Sequence, residues 1–428
     1  MKTVQSFQRA KSLLSRQVPQ YDAITEAAVK RILADVLAQG DKALFSYTKK
    51  LDGVELKSLK VSKKEILDSY KAVDKKLLDA FKLAKQRIEQ FHRLCLERIQ
   101  PGFLTGGLGC VIRPLNRIGI YVPGGSAVYP STVLMTVIPA RIAGVKEIFM
   151  TTPPQKNGSI PPATLVAADI SGVDGIFKVG GAQAIAALAF GTESVPRVDK
   201  ICGPGNVFVV AAKRMVYGTV DIESLPGPSE IIIVADETAD ASFCAADLIA
   251  QAEHDPLASA IMITTSQKFC LAVQGELEKQ LSKLARRSIA AKALKTRGIL
   301  AVVKTVEEAI QLVNLYAPEH VSLMLRDAGN YATKIENAGC IFIGGGSPVA
   351  IGDYVAGPSH VLPTGGSARF SSPLGVSDFL KISNLIAIDE AAVEELGQAA
   401  IIIAEAEGLN GHAEAIRLRL KNSRKRKK

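Results

Sequence analysis

From about residue 110 onward, short β-branched or apolar runs alternate with alanine-rich helical stretches and glycine turns, and this alternation constrains the fold more than any other feature. Residues 117–122, 146–152, 175–179, 200–202 and 230–235 read as strands. Between them, 131–143, 162–170, 181–190 and the stretch from Gly203-Pro204-Gly205-Asn206 through Val216 read as helices. The pattern then repeats, with strands at 259–264, 299–303, 321–325 and 340–343 and helices at 240–254, 266–284 and 306–316. Alternation at this spacing builds βαβ units, whose strands run parallel because each helix carries the chain back to the edge it left. A seam near Leu225-Pro226-Gly227-Pro228 divides the run into two α/β units. Residues 1 to about 100 read as helices: 25–39, with Ile32, Val36 and Leu37 on one face and a stop at Gly40, and 63–96, long and charged, punctuated by Gln100-Pro101-Gly102. Beyond Ser377 the chain is helical again, at 389–407 and 411–420.

The 428 residues suffice for more than one domain, and 47% apolar with 22% charged residues is ordinary for a soluble globular protein. The net charge of +10 points to nucleic acid until its distribution is considered. Six of the basic side chains and no acid fall within 421–428, which leaves +4 on the remainder, unremarkable for a body this size. The tail 421–428 reads as a disordered basic end. Cys95, Cys110, Cys202, Cys244, Cys270 and Cys340 are scattered without C-x-x-C spacing, as reduced core residues of a cytoplasmic protein. No apolar run approaches the ~20 residues of a membrane helix, and the N-terminal stretch has no signal-peptide core.

The chemistry gathers at element ends, where α/β proteins place ligands. Helix 240–254 is capped by Asp240 and stopped by Asp255-Pro256, because the residue before proline is driven out of the α region. At its end Gln251 and His254, three apart, project from one face. Taken alone that is more often a polar helix end in water than half a metal site. Of five histidines, His92 falls on the charged N-terminal helix and is expected at the surface. His254, His320, His360 and His412 each sit beside a carboxylate, a glycine turn or a proline stop, with none spent on a core. Histidine, amide oxygen and one carboxylate suit zinc and other first-row ions, so Gln251, His254, Asp353 and a further histidine would make four ligands. Alone, Asp353 reads more simply as a turn residue after Gly352, and Glu319 as an exposed helix-end residue. The Gly203-Pro204-Gly205-Asn206 turn could admit a phosphate to a helix N-terminus, but G-x-G-x-x-G is absent from its usual place.

Taken together, these blocks resemble the histidinol dehydrogenase family. The matching runs are Tyr121-Val122-Pro123-Gly124-Gly125, Gly180-Gly181-Ala182-Gln183-Ala184-Ile185-Ala186-Ala187, Gly203-Pro204-Gly205-Asn206, Gly227-Pro228-Ser229-Glu230, Gln251-Ala252-Glu253-His254, Ala317-Pro318-Glu319-His320, the 352–363 loop, and Glu407-Gly408-Leu409 with His412. They fall in the family's order from about residue 25 to 420. The resemblance implies an α/β fold of two incomplete Rossmann-like domains with parallel sheets, plus helical N- and C-terminal segments used in dimerisation. It divides the chain into 18–120 with 230–374 (larger, substrate and zinc side), 121–229 (NAD side), 1–17 with 375–400 (dimerisation), and 401–420 (a helical tail contributing to the partner's active site).

The same resemblance implies one zinc ion per subunit, held by Gln251, His254 and Asp353, with His412 supplied across a homodimer. It makes Glu319 and His320 the catalytic acid–base pair. Ser229, Gln251, His254, His320, Asp353, His360, Glu407 and His412 would meet substrate, and Tyr121, Gln183 and Asn206 would contact NAD. The implied activity closes histidine biosynthesis: L-histidinol, two NAD+ and water give L-histidine and two NADH through bound L-histidinaldehyde. Zinc would orient the substrate by its amine and imidazole nitrogens, His320 would accept the alcohol proton, and Glu319 would deprotonate the water that attacks the aldehyde. Two rival readings are a related zinc/NAD alcohol dehydrogenase acting on another small polar alcohol, and a non-catalytic zinc-stabilised RNA-binding protein. The intact acid–base and ligand positions favour the first reading over both, and neither membrane nor nucleic acid is an expected partner. Two positions depart from the family pattern: Ile222-Glu223-Ser224-Leu225-Pro226 replaces its commoner Asp-containing, alanine-before-glycine run, and Ser126 stands where many relatives have lysine.

Overall fold

The computed structural model describes residues 1–16, 22–124 and 128–426; Gly125, Ser126 and the last two tail lysines lie outside the described residues. In chain order the strands are β1 (Lys2–Val4), β2 (Gly102–Thr105), β3 (Leu108–Pro114), β4 (Arg117–Tyr121), β5 (Glu147–Thr152), β6 (Gly175–Lys178), β7 (Lys200–Cys202), β8 (Asp221–Ile222), β9 (Glu230–Ala235), β10 (Ser259–Thr264), β11 (Ile299–Val302), β12 (His320–Met324), β13 (Cys340–Ile343) and β14 (Leu380–Ile386). The helices are α1 (Phe7–Leu14), α2 (Ala23–Gln39), α3 (Asp41–Tyr47), α4 (Lys63–Ala72), α5 (Lys75–Leu96), α6 (Pro130–Ala143), α7 (Pro162–Ser171), α8 (Gly181–Phe190), α9 (Val207–Val216), α10 (Ala241–Ala252), α11 (Gln267–Leu281), α12 (Arg287–Arg297), α13 (Val306–Tyr316), α14 (Ala328–Ala332), α15 (Val349–Tyr354), α16 (Glu390–Ala406) and α17 (Asn410–Arg426). They form two compact units, residues 1–96 with 115–379 and residues 97–114 with 380–428.

The first unit carries two parallel sheets of the same winding. One has the order β6-β5-β4-β7-β8, the other β1-β11-β10-β9-β12-β13. In each, the first strand of the run lies in the middle, the next two add on one side and the last two on the other. The order therefore reverses between β4 and β7, and again between β9 and β12. β9 explains why such strands read as continuous apolar runs. Ile231 and Ile233 enter the core on one face of the sheet while Ile232 and Val234 enter the core on the other, so both faces are covered.

The N-terminal helices clothe the five-stranded sheet: α2 packs on α8 and α9, α4 on α7, and α5 on α6. Residues 2–14 instead join the six-stranded sheet, β1 pairing with β11 and α1 lying against α13. The sequence grouped these segments otherwise, with 1–17 beside 375–400 and 18–120 beside 230–374. Local capping sets the helix limits. Asp22 accepts from the Ile24 and Thr25 amides, and Gly40 ends α2 at φ +53. The single helix expected over 63–96 is two: Val73 turns extended, and Asp74 caps a new helix by accepting from the Leu77 amide.

His92, expected at the surface, is 1% exposed. It continues the buried stripe Phe81, Ala84, Ile88 at helical spacing, and neither ring nitrogen has a hydrogen-bond partner in the described structure. One histidine is thus spent on a core after all. Burial holds its pKa down at about 4. The unfolded chain takes up this proton near pH 6.5, so stability present at neutral pH is lost as pH falls from there toward 4. Between pH 7 and pH 5 the native protein is expected to lose about 2 kcal/mol more than a His92→Leu variant does in denaturant unfolding. Equal losses in both would place the pH sensitivity elsewhere.

The second unit is small. β14, β3 and β2 form an antiparallel sheet, whose β2–β3 hairpin turns at Gly106 and Gly107, both at positive φ. α16 packs on α17 around Ile401, Ala404 and Ala413, and Leu420 of α17 sits where a side chain on Gly397 would be. Phe103, Leu104, Leu108, Ile382, Ile386 and Ile403 remain exposed on this unit. α17 runs to Arg426, through most of the tail expected to be disordered. Lysine and arginine are good helix formers, and positive charge complements the dipole at a helix C-terminus. Among the described residues no helix is long and apolar enough to cross a membrane.

Candidate active site

Glu319 and His320 stand at the amino edge of the six-stranded sheet. α13 ends at Tyr316, Ala317 takes φ +50, and Pro318 bars further helix, so the next two residues swing into β12. Both are buried, at 7% and 4% exposure. The backbone of one residue, Glu230 at the start of β9, holds the pair. Its N–H donates to Glu319 Oε2 at 2.8 Å, and its carbonyl accepts from His320 Nδ1 at 3.2 Å. A carbonyl only accepts, so the Nδ1 proton is fixed and Nε2 is the basic nitrogen of the neutral ring. Nε2 has no hydrogen bond and lies 3.5 Å from Asp353 Oδ1.

Burial pushes Glu319 up to about 7, in spite of the neighbouring imidazole. Burial alone would lower His320, but Glu319 and Asp353 face it and lift it to about 9. With both carboxylates free, the ring keeps its proton at neutral pH. A ligand that engages Asp353 weakens that hold.

Asp353 lies on the short helix α15 and not in a loop. His320, His360 and His254 keep its carboxylate below the usual range against the opposing effect of burial. His360 donates from Nδ1 to the Asp353 carbonyl at 2.7 Å, and its Nε2 is 3.4 Å from Thr132 Oγ1. Gln251 is buried in the last turn of α10. His254 follows the cap residue Glu253, its amide still bonded to the Gln251 carbonyl at 3.3 Å. His254 is exposed as a residue, yet partial burial of its ring holds its pKa below the usual value despite Asp353. Ser229 is partly exposed, one residue before Glu230. A cavity of about 410 Å³ opens beside His320, Asp353 and His360, with Cys340, Phe342 and Leu362 in its wall. Burial pushes the Cys340 thiol up to about 11, so it is no nucleophile at neutral pH. A larger recess of about 580 Å³, around Arg117, Arg197 and Asp221, contains none of the residues expected to act.

Among the described residues no three His, Cys, Asp or Glu side chains form a metal-holding group. Gln251 lies outside that set, which leaves one imidazole and one carboxylate plus an amide oxygen. A donor mixture of this kind is compatible with zinc chemistry.

The second cluster lies at the carboxyl edge of the five-stranded sheet, beside the reversal between β4 and β7. Tyr121 ends β4, and its hydroxyl accepts from the Gly181 amide at 3.2 Å. Gln183, on the first turn of α8, is buried with Oε1 unpartnered in the described structure. Asn206 caps α9, its Oδ1 accepting from the Phe208 and Val209 amides. Gly203, at φ +116, packs so close that a Cβ would lie 2.0 Å from the Tyr121 carbonyl oxygen. At the equivalent place in the six-stranded sheet the Asp236 amide donates to the Met324 carbonyl and its carboxylate accepts from the Arg326 amide, which ties the ends of β9 and β12 together.

Sequence reasoning missed the supports. Glu223, from the departing run, accepts from the Gly203 amide at 2.8 Å and pairs with fully buried Lys213 at 2.6 Å, so it braces the Gly203–Asn206 turn. Its place 20 residues after a glycine turn gives no hint of that role. Glu407 and His412 lie on the second unit, at the C-cap of α16 and in the first turn of α17, and both are exposed.

Residues 14–420 match the family model described as histidinol dehydrogenase. A histidinol dehydrogenase of Dehalococcoides mccartyi is 51% identical over 395 residues, covering 92% of this chain and 91% of the relative. One from Methanocaldococcus jannaschii is 47% identical over 396 residues, covering 92% of each chain. The crystal structure of histidinol dehydrogenase from Elizabethkingia anophelis superimposes with a TM-score of 0.93 at 39% identity, covering 99% of this chain and 98% of that one.

Proposed function

The chain belongs to the histidinol dehydrogenase family, and we propose that it oxidises L-histidinol to L-histidine through bound L-histidinaldehyde, reducing two NAD+ in the last steps of histidine biosynthesis. The observation that carries this reading is the backbone of Glu230, which holds two potential bases, Glu319 and His320, with Oε2 and Nδ1 3.6 Å apart and His320 in the wall of the cavity. Two successive oxidations need two proton acceptors of different kinds, one for an alcohol and one for water.

In the first oxidation His320, neutral once a ligand engages Asp353, takes the hydroxyl proton at Nε2 as hydride leaves the carbinol carbon, giving the aldehyde. In the second Glu319 takes a proton from water, the resulting hydroxide adds to the carbonyl carbon, and the second hydride leaves to give the carboxylate. The raised pKa of Glu319 matches it to this task near neutral pH. The high thiol pKa of Cys340 argues against a covalent thiohemiacetal route. Tyr121, Gln183 and Asn206 would bind NAD, which accepts the hydrides. Gln251, His254, Asp353 and the partner subunit's His412 would hold one zinc ion, which when bound supplies a Lewis acid that fixes the substrate's nitrogens. Ser229, His360 and Glu407 would complete the substrate contacts.

The homodimer is supported by the exposed apolar side chains of the second unit, which a second copy of the chain would cover. A cytoplasmic setting is supported by six unpaired cysteines. The test is NAD reduction by purified protein with L-histidinol against a panel of small polar alcohols. Histidinol is expected to be turned over fastest, with activity lost to a chelator and restored by zinc. A different alcohol preferred by the enzyme would overturn the assignment.

A further inference from the structure

We infer that Arg16 is a positioning residue for both oxidations, acting through Glu230 to fix the backbone that holds Glu319 and His320 together. The inference rests on the reading of Glu319 and His320 as the two bases. Arg16 Nη1 and Nη2 donate to the two carboxylate oxygens of Glu230 at 2.7 and 2.6 Å, a bidentate pair. Its Nε donates to the Tyr316 carbonyl at 2.6 Å, and its guanidinium stacks 3.8 Å from the centre of the Tyr316 ring. One side chain therefore joins the residue that opens β9 to the residue that precedes the Ala317-Pro318 turn.

Everything that aims the acid–base pair lies between those two anchors. On one side is the Glu230 backbone, with its N–H on Glu319 and its carbonyl on His320. On the other is Ala317, the only non-glycine at positive φ among the described residues, whose strained turn delivers both bases into β12. The pair is enclosed: the Glu230 side chain is 6% exposed, and a Cβ on Gly366 would lie 2.8 Å from Arg16 Cδ. Arg16 itself sits outside the cavity and contacts neither base. Lysine cannot replace it fully, since the site uses three donors in a fixed planar fork.

The experiment compares Arg16→Met, Arg16→Lys and the double variant Arg16→Met/Glu230→Gln with the unmodified enzyme. It measures kcat with L-histidinol and with L-histidinaldehyde, KM for NAD, calorimetric histidinol affinity, zinc content and unfolding temperature. Arg16→Met is expected to lower kcat for both substrates roughly 10- to 100-fold, because a displacement of about 1 Å at the bases suffices for that. KM for NAD and zinc content should stay within about twofold, since those sites are not held by Arg16. Arg16→Lys should recover part of kcat. The double variant should regain thermal stability, having no uncompensated carboxylate, without regaining kcat. Wild-type kcat in Arg16→Met, or kcat restored with stability in the double variant, overturns the inference. Should Arg16→Met fail to fold, the lysine and double variants decide the matter by the same criteria. Failure of the underlying reading is distinct: it appears as no histidinol turnover by the unmodified protein, or as an undiminished Glu319→Gln enzyme.

Discussion

Glu319→Gln is expected to leave oxidation of L-histidinol to the aldehyde near the native rate while oxidation of supplied L-histidinaldehyde falls by about 100- to 10,000-fold, the usual range for loss of a general base. Glutamine keeps the shape of the side chain and can still accept the Glu230 amide hydrogen bond, so the pocket and His320 stay in place. It cannot take a proton from water. The same residue sets a pH signature. A base must be ionised to act, and burial raises Glu319 to about 7, so aldehyde oxidation should decline tenfold per unit as pH falls below that value. Aldehyde reduction by NADH, the reverse of the first step, should show no such loss in the variant. Stopped-flow absorbance of NADH with each substrate separates the steps. Equal losses in both would remove the water-activating role from Glu319.

A mixed dimer of His254→Asn and His412→Asn chains should regain about half the native activity, although each variant alone is inactive. If the fourth zinc donor crosses the interface, one site in the mixed dimer collects both substitutions and the other collects neither. Exposed His412 and Glu407 belong to the small second unit, and Asp353, His254 and Gln251 to the large first one. Co-expression with two affinity tags, followed by tandem purification and assay, gives the comparison. A mixed dimer as inactive as its parents would mean that each chain supplies its own ligands.

The parallel sheets were legible because their strands are buried on both faces and so stand out as unbroken aliphatic runs such as Ile231-Ile232-Ile233-Val234. The antiparallel sheet was not. β14 is largely exposed and pairs with a strand far earlier in the chain, though Gly106-Gly107 between two short runs was an available hairpin signal. His92 was misjudged on the charge of its helix, when its spacing from Phe81, Ala84 and Ile88 already placed it on the buried stripe. At the site, the helix capped by Asp240 with Gln251 in its last turn could be read directly from turn chemistry. The grouping of Glu319 with His320 could be read too, as neighbours in the chain. What could not be read was Glu230 as their common holder, because that depends on the register of β12 against β9, which pairs His320 with Ile231. Arg16 and Glu223 escaped for the same reason: each acts through a contact that exists only once distant segments have met.

In the proposed reaction one set of residues carries the substrate through two oxidations without release. The direct measurement is the number of NADH formed per L-histidinol when histidinol is limiting and NAD in excess, with an aldehyde trap in solution. Two NADH per histidinol, L-histidine as the product and no trapped aldehyde are the predicted result. One NADH, with the aldehyde recovered in the trap, would contradict it.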